Sequence, residues 1–161
     1  MLRKMLVVAS VACLGLPLAL HSVAAEAKPP SNVPGAEPYQ TTVKIVVPDT
    51  YNVVAADAPV PVPADRRLVV ESVSVRFLIG IGDNAIVAIY GNIGGAQSIF
   101  YVPLTLSSTS AGYDDYRGTH MMRIYHDGDG VRGPQVQCVR YTSGTGKAYC
   151  DVTISGYLIG M

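Results

Sequence analysis

The stretch Cys150-Asp151-Val152-Thr153-Ile154-Ser155-Gly156-Tyr157-Leu158, near the end of the chain, decides the fold. Apolar and polar residues alternate along it, which is the period-two pattern of a strand with one buried face. Val152, Ile154 and Leu158 are its core positions, while Thr153, Ser155 and Tyr157 point outward. Just upstream, Thr142-Ser143-Gly144-Thr145-Gly146 has the composition of a turn. Cys138 lies as far before Gly144 as Cys150 lies after it. A symmetric hairpin over residues 135–158 would set 139 against 149 and Tyr141 against Lys147, with Cys138 directly opposite Cys150. Opposed residues in an antiparallel pair are about 4.5 to 5.5 Å apart, close enough for a disulfide. A reactive or metal-binding thiol pair is the alternative, but the sequence shows no C-x-x-C spacing, no helix and no histidine near either cysteine.

The rest of the chain has the same character. Its 161 residues suffice for one domain, and Gly (16) and Pro (11) are frequent. Val and Ile dominate the apolar positions beyond the N-terminus, and no segment there has helical periodicity. Many short strands joined by turns are expected.

Residues 1–25 read as a cleaved secretory signal peptide. Arg3 and Lys4 form a positive start, an apolar run follows from Leu6 to Leu20, and Val23-Ala24-Ala25 supplies small residues for cleavage after Ala25; cleavage after Ala27 also fits. The apolar run is shorter than the roughly 20 residues that span a bilayer, so an integral membrane protein is not expected. A lipoprotein signal on Cys13 fits poorly, because the apolar run continues past it. Removal of the leader takes Lys plus Arg from 12 to 10 and leaves Asp plus Glu at 12, a balance of −2. That charge excludes the basic surface a nucleic-acid partner requires. Cys13 leaves with the leader, so an exported chain with two cysteines is expected to oxidise Cys138 and Cys150. The localisation expected is secreted or periplasmic.

Residues 26–40, with Pro29, Pro30, Pro34 and Pro38, read as a flexible Pro-rich tail, and residues 41–161 as a single β-sandwich domain. Strands are expected at residues 41–47, at Val53-Val54, and over 67–79, where Val69, Val73, Val75, Phe77 and Ile79 share one face. Glu71 breaks that face: a functional acid, a residue turned out by a bulge or a partner of Arg123 would each account for it. Between them, Ala58-Pro59-Val60-Pro61-Val62-Pro63 reads as an extended edge or a loop over the sheet, since alternating prolines cannot donate on both sides. Further strands are expected at 85–90, at 99–106 with Phe100, Val102, Leu104 and Leu106 inward, and at 119–126. Loops are expected at 91–95, 107–112 and 128–134. About seven or eight strands with turn signals between them predict an all-β, antiparallel two-sheet sandwich. A jelly roll is the first choice and an immunoglobulin-like sandwich the second; the missing Trp and the close cysteines disfavour the latter.

The runs Val62-Pro63-Ala64-Asp65-Arg66-Arg67-Leu68-Val69-Val70-Glu71-Ser72-Val73-Ser74-Val75 and Ile154-Ser155-Gly156-Tyr157-Leu158 resemble segments of small exported bacterial β-sandwich proteins of uncharacterised function. The resemblance implies export and a sandwich architecture, and it transfers no catalytic residue.

Several groups are candidates for chemistry. In His126-Asp127-Gly128-Asp129-Gly130, Asp127 and Asp129 on a glycine-rich loop suit a Ca²⁺ ion, with Asp114 and Asp115 available if their loop lies at the same end. The other reading is a solvated turn. No cofactor is otherwise implied, and His120 and His126 are too few for a structural zinc. Ser107, His120 and Asp114 make a hydrolase triad on paper only, without a nucleophile elbow. Tyrosine is abundant (10 Tyr against 2 Phe and no Trp), and Tyr113, Tyr125 and Tyr157 join Asp114 and Asp115 as candidate ligand-binding residues. The function expected is a non-enzymatic exported binding module for carbohydrate or another surface polymer. The alternatives are a self-associating structural subunit, with a protein partner or a second copy, and a hydrolase.

Overall fold

The computed structural model describes residues 33–141 and 146–161. The leader, the expected tail as far as residue 32, and the centre of the expected hairpin loop at residues 142–145 lie outside the described residues. Nine strands follow in chain order: β1 (Glu37–Val47), β2 (Val53–Asp57), β3 (Arg66–Gly80), β4 (Ala85–Ile93), β5 (Ala96–Val102), β6 (Thr105–Ser110), β7 (Tyr113–Asp127), β8 (Gln135–Arg140) and β9 (Ala148–Gly160). They form two antiparallel sheets, β1-β9-β3-β7-β6 and β2-β8-β4-β5. Among the described residues no helix is long and apolar enough to cross a membrane.

The pairings nest: β1 with β9, β2 with β8, β3 with β7, β4 with β5. The chain is one long antiparallel ribbon, rolled so that successive pairs fall in opposite sheets. Contacts of β3 with β9 and of β4 with β8 close the roll. That is a jelly roll, the expected architecture, with β6 added at an edge to bring the strands to nine. Val43, Ile45, Val73, Phe77, Val152 and Ile154 from one sheet meet Val87, Ile89 and Val136 from the other, all of them buried.

The largest correction concerns the cysteines. Cys138 and Cys150 are bonded, with Cα atoms 6.6 Å apart, but there is no hairpin. β8 sits between β2 and β4, whereas β9 sits between β1 and β3. The disulfide therefore joins the two sheets through the core, the arrangement that close spacing seemed to disfavour. Alternation shows that both cysteines face the interior, and it cannot tell a neighbour in the same sheet from a strand facing it across the core. Pairing two central strands to each other would have left each short of a partner on one side.

Other boundaries shift for local reasons. β1 begins at Glu37 and Tyr39 is already core, so the domain starts before residue 41. The expected strand over 99–106 is two strands, because Pro103 stands between β5 and β6 and the chain changes sheet there; Leu106 is exposed. Residues 107–110 are strand, not loop, and 113–127 run unbroken. Gly91, Asn92 and Ile93 extend β4, leaving a two-residue turn at Gly94 and Gly95 (φ 57° and 83°), a conformation that favours glycine. At Glu71 the register of β3 slips against both neighbours. The bulge reverses the inward phase: Leu68 and Val70 join Val73 and Val75 in the core, and Glu71 is the extra residue against β9. Glu71 forms no ion pair with Arg123. Val69 therefore points outward, flanked in its row by Tyr125 and Tyr157.

Candidate functional site

The chemistry-bearing residues divide between the two ends of the sandwich. Tyr113, Asp114 and Asp115 open β7, and Tyr125 and Asp127 close it. Asp114 and Asp127 are thirteen positions apart, about 40 Å at strand rise. They share no cleft.

At the first end both carboxylates are committed to the fold. Asp114 accepts hydrogen bonds from Thr109 Oγ1 (2.5 Å) and the Gly82 amide (2.9 Å), which hold its carboxyl below the usual range. Asp115 accepts from Arg117 (2.8 Å) and Arg76 (3.2 Å), and it too is held low, Arg117 being the stronger cause. The paper triad does not assemble. His120 bonds the Pro103 carbonyl oxygen and stands six residues from Asp114 along one strand, about 20 Å away.

The other end holds a pocket of about 160 Å³. Gln135 at the start of β8 and Tyr90 of β4 line one side, with Asp57 beside them at the end of β2. Asn92 and Gln97 line the adjoining hairpin. His126, Asp127, Asp129 and Arg132 close the opposite wall from the end of β7 and the loop after it. Register explains the first group. Asp57, Gln135, Tyr90 and Ile99 form one row across the four-stranded sheet on its outer face. Gln135 Nε2 donates to Asp57 Oδ1 at 3.4 Å. In the next row stand Ala55, Gln137, Ala88 and Tyr101, and Tyr90 donates its hydroxyl proton to Gln137 Oε1 at 2.8 Å. Tyr101, 67% exposed, is the largest free ring surface on this face. The pocket thus opens onto a sheet face that carries tyrosine, amide and carboxylate groups.

The proline run braces the loop that forms the far wall. Ala58 N–H donates to the Pro134 carbonyl and Val62 N–H to that of Arg132, while Gly130 N–H donates to the Val62 carbonyl. Pro59, Pro61 and Pro63 lack donors, so the run can pair along one edge only, and that edge is the site loop. Gly128 and Gly133 allow the approach: a Cβ on Gly133 would stand 2.6 Å from the Val60 carbonyl oxygen.

Asp127 and Asp129 reach the pocket with their oxygens already engaged. Arg67 grips Asp127 through Nε (2.5 Å) and Nη2 (3.1 Å), and the Gly94 amide adds a bond of 2.8 Å. These partners, Arg67 first, hold the Asp127 carboxyl below its usual range. Asp129 accepts from the amides of Arg132 (2.7 Å) and Val131 (2.8 Å) and from Arg132 Nε (3.1 Å). Its carboxyl is pushed down to about 2, mainly by the two amides. Among the described residues, no group of three or more His, Cys, Asp or Glu side chains is placed to hold a metal. Burial pushes the His126 imidazole below its usual value, and its Nδ1 has no partner among the described residues.

Of the candidates read from the sequence, only His126, Asp127 and Asp129 line this pocket. Tyr125 and Tyr157 lie on the outer face of the other sheet, and Tyr157 is only 8% exposed. Asp57, Tyr90, Asn92, Gln97, Tyr101, Arg132 and Gln135 went unread. The outward positions Gln97, Ile99 and Tyr101, and likewise Gln135 and Gln137, carry a period-two signal that could have marked them. No family model matches the chain, and no curated protein matches it significantly.

Proposed function

We propose that this protein is an exported, non-enzymatic binding module for carbohydrate or a comparable polyhydroxylated surface polymer. The observation that carries the reading is the continuity of the end pocket with the outer face of the four-stranded sheet. Asp57, Asn92, Gln97 and Gln135 offer acceptors and donors at the spacing of neighbouring strands, as a hydroxyl-rich ligand requires, and Tyr90 and Tyr101 offer apolar ring faces beside them. Drug-sized sites usually exceed about 300 Å³, so a pocket of about 160 Å³ suits a single sugar ring with the chain continuing over Tyr101. Binding without turnover fits the site: its two best-placed carboxylates, Asp127 and Asp129, are held ionised and bonded within the fold. Export, secreted or periplasmic, fits the buried disulfide. A glycan array probed with and without Ca²⁺ tests the reading. Hits lost in an Asp57→Ala, Tyr101→Ala double variant of unchanged Tm support it; an array without hits overturns it.

A second reading, self-association, is favoured by β6. All six of its residues are exposed, none is charged or proline, and it forms an edge of its sheet. Such an edge is a template for another strand. Light scattering that finds only monomer at high concentration removes this reading.

A further inference from the structure

The charges around the pocket are matched in pairs, with one left over. Arg67 is bonded to Asp127 and Arg132 to Asp129. Among the described residues Asp57 forms no ion pair, and its one side-chain partner there is the neutral amide of Gln135 at 3.4 Å. Three carboxylates and one guanidinium line the cavity itself, because Arg67 approaches Asp127 from outside its lining. His126, in the same wall, feels this imbalance: Asp129, Asp127 and Asp57 favour its charged form and Arg132 opposes it, although burial is the largest influence and lowers its pKa. The pocket is therefore electronegative, and its unneutralised carboxylate, Asp57, stands on the side opposite that wall, beside Tyr90 and Gln135.

We infer that this pocket takes a sugar ring bearing an ammonium group, with Asp57 pairing the ammonium and the amides of Gln97, Asn92 and Gln135 serving the hydroxyls. The inference rests on the carbohydrate reading above and narrows it to cationic sugars. A uronate would bring a second negative charge to Asp57 with Arg132 already occupied by Asp129, and a neutral ring would leave Asp57 without a charged partner.

The test is titration of the mature chain with protonated glucosamine, N-acetylglucosamine, glucose and glucuronate, followed by NMR shift perturbation. Glucosamine is expected to bind about twofold to fivefold more tightly than N-acetylglucosamine, the scale of one partly exposed charge pair. That advantage should shrink as salt is added. Asp57→Asn, with unchanged Tm, should remove the advantage, so that glucosamine and N-acetylglucosamine bind that variant with equal affinity. Equal or tighter binding of the neutral rings or the uronate overturns the charge selection and leaves the carbohydrate reading standing. If none of the four rings shifts a resonance of the pocket, both fall together.

Discussion

The bond between Cys138 and Cys150 ties the middle of one sheet to the middle of the other. Cys138 lies in a row with Val54 and Val87, Cys150 in a row with Ile45 and Phe77. Both cysteines are fully buried. The link therefore restrains the facing distance of the two layers within the core. Closing a loop of sequence separation 12 removes denatured-state freedom worth about 3 kcal/mol. Cys138→Ser should lower stability by about 2 to 4 kcal/mol in denaturant melts under oxidising conditions, and reductant should lower the Tm of the unsubstituted protein. A melt that reductant leaves unmoved would mean that the thiols are not bridged.

Arg140 closes the sandwich at the end remote from the pocket. It is the largest of the fully buried side chains, and its guanidinium donates to the carbonyls of Asp49 (2.5 Å), Gly146 (2.6 Å), Pro48 (2.9 Å) and Tyr51 (3.2 Å). One side chain thereby satisfies carbonyls from the β1–β2 connection and from the segment crossing between the sheets. Arg140→Met keeps length and loses every donor. The stranded carbonyls should cost about 3 kcal/mol or more, read as a lowered denaturant midpoint. Arg140→Lys should recover only part, since an ammonium lacks the planar fork that reaches several carbonyls at once.

Strand content and sheet faces were legible because alternation reports burial directly: Val152, Ile154, Val43 and Phe77 face the core as their spacing requires. Which strands adjoin was not legible. A strand beside β8 and a strand facing it across the core impose the same pattern on Cys138, so the nearest cysteine looked like a hairpin partner. The phase of β3 before Glu71 was lost for a related reason, since an extra residue exchanges the two faces without altering composition. The site was the least legible part. Asp57, Tyr90 and Gln135 are far apart in the chain and meet only through the β2–β8–β4 register. Asp127 and Asp129 drew notice as a cation motif, yet Arg67, sixty residues away, already holds one of them. Nothing near Arg140 in the sequence marks it as buried, since most of the carbonyls that hold it come from Pro48, Asp49 and Tyr51, about ninety residues away.

Acid should loosen the site loop before it unfolds the domain. The Asp129 carboxyl titrates near 2 in the folded chain against an ordinary 3.8, so its contribution is fully present above about pH 4 and is lost as pH falls through about 2. His126 acts in the same direction at milder pH. Its folded value lies below 6.5, so its contribution is present above that value and declines as the unfolded chain takes up the proton first. Stability should therefore be flat near neutrality and fall in two stages on acidification. In Asp129→Asn the lower stage should shrink, the remainder belonging to Asp114, Asp115 and Asp127, which are also held low; an unchanged pH profile in that variant would show that the carboxylate does not cap the loop.

Gly128 is the point at which the site wall and the proline run touch. A Cβ there would collide with the Pro63 carbonyl oxygen and stand 2.5 Å from that of Val62, both rigid backbone atoms. Its own amide donates to the Arg66 carbonyl at 2.9 Å, so the segment cannot retreat without giving up that bond. Gly128→Ala must push apart the strip of hydrogen bonds that joins Val62 to Arg132 and Gly130. Overpacking of this kind costs about 1 to 3 kcal/mol. The strain falls on the loop that carries Asp129 and Arg132, so the exchange protection of the Val131 and Arg132 amides should drop further than that of core amides such as Val152. Gly130 makes the control. Its φ of 77° strains any other residue, but a Cβ there would meet only Ala64 at 3.6 Å. Gly130→Asn, a residue that tolerates this conformation, should leave the protection of those two amides nearly intact. Equal loss in both variants would mean that backbone strain at the loop, and not its contact with the proline run, holds the wall in place.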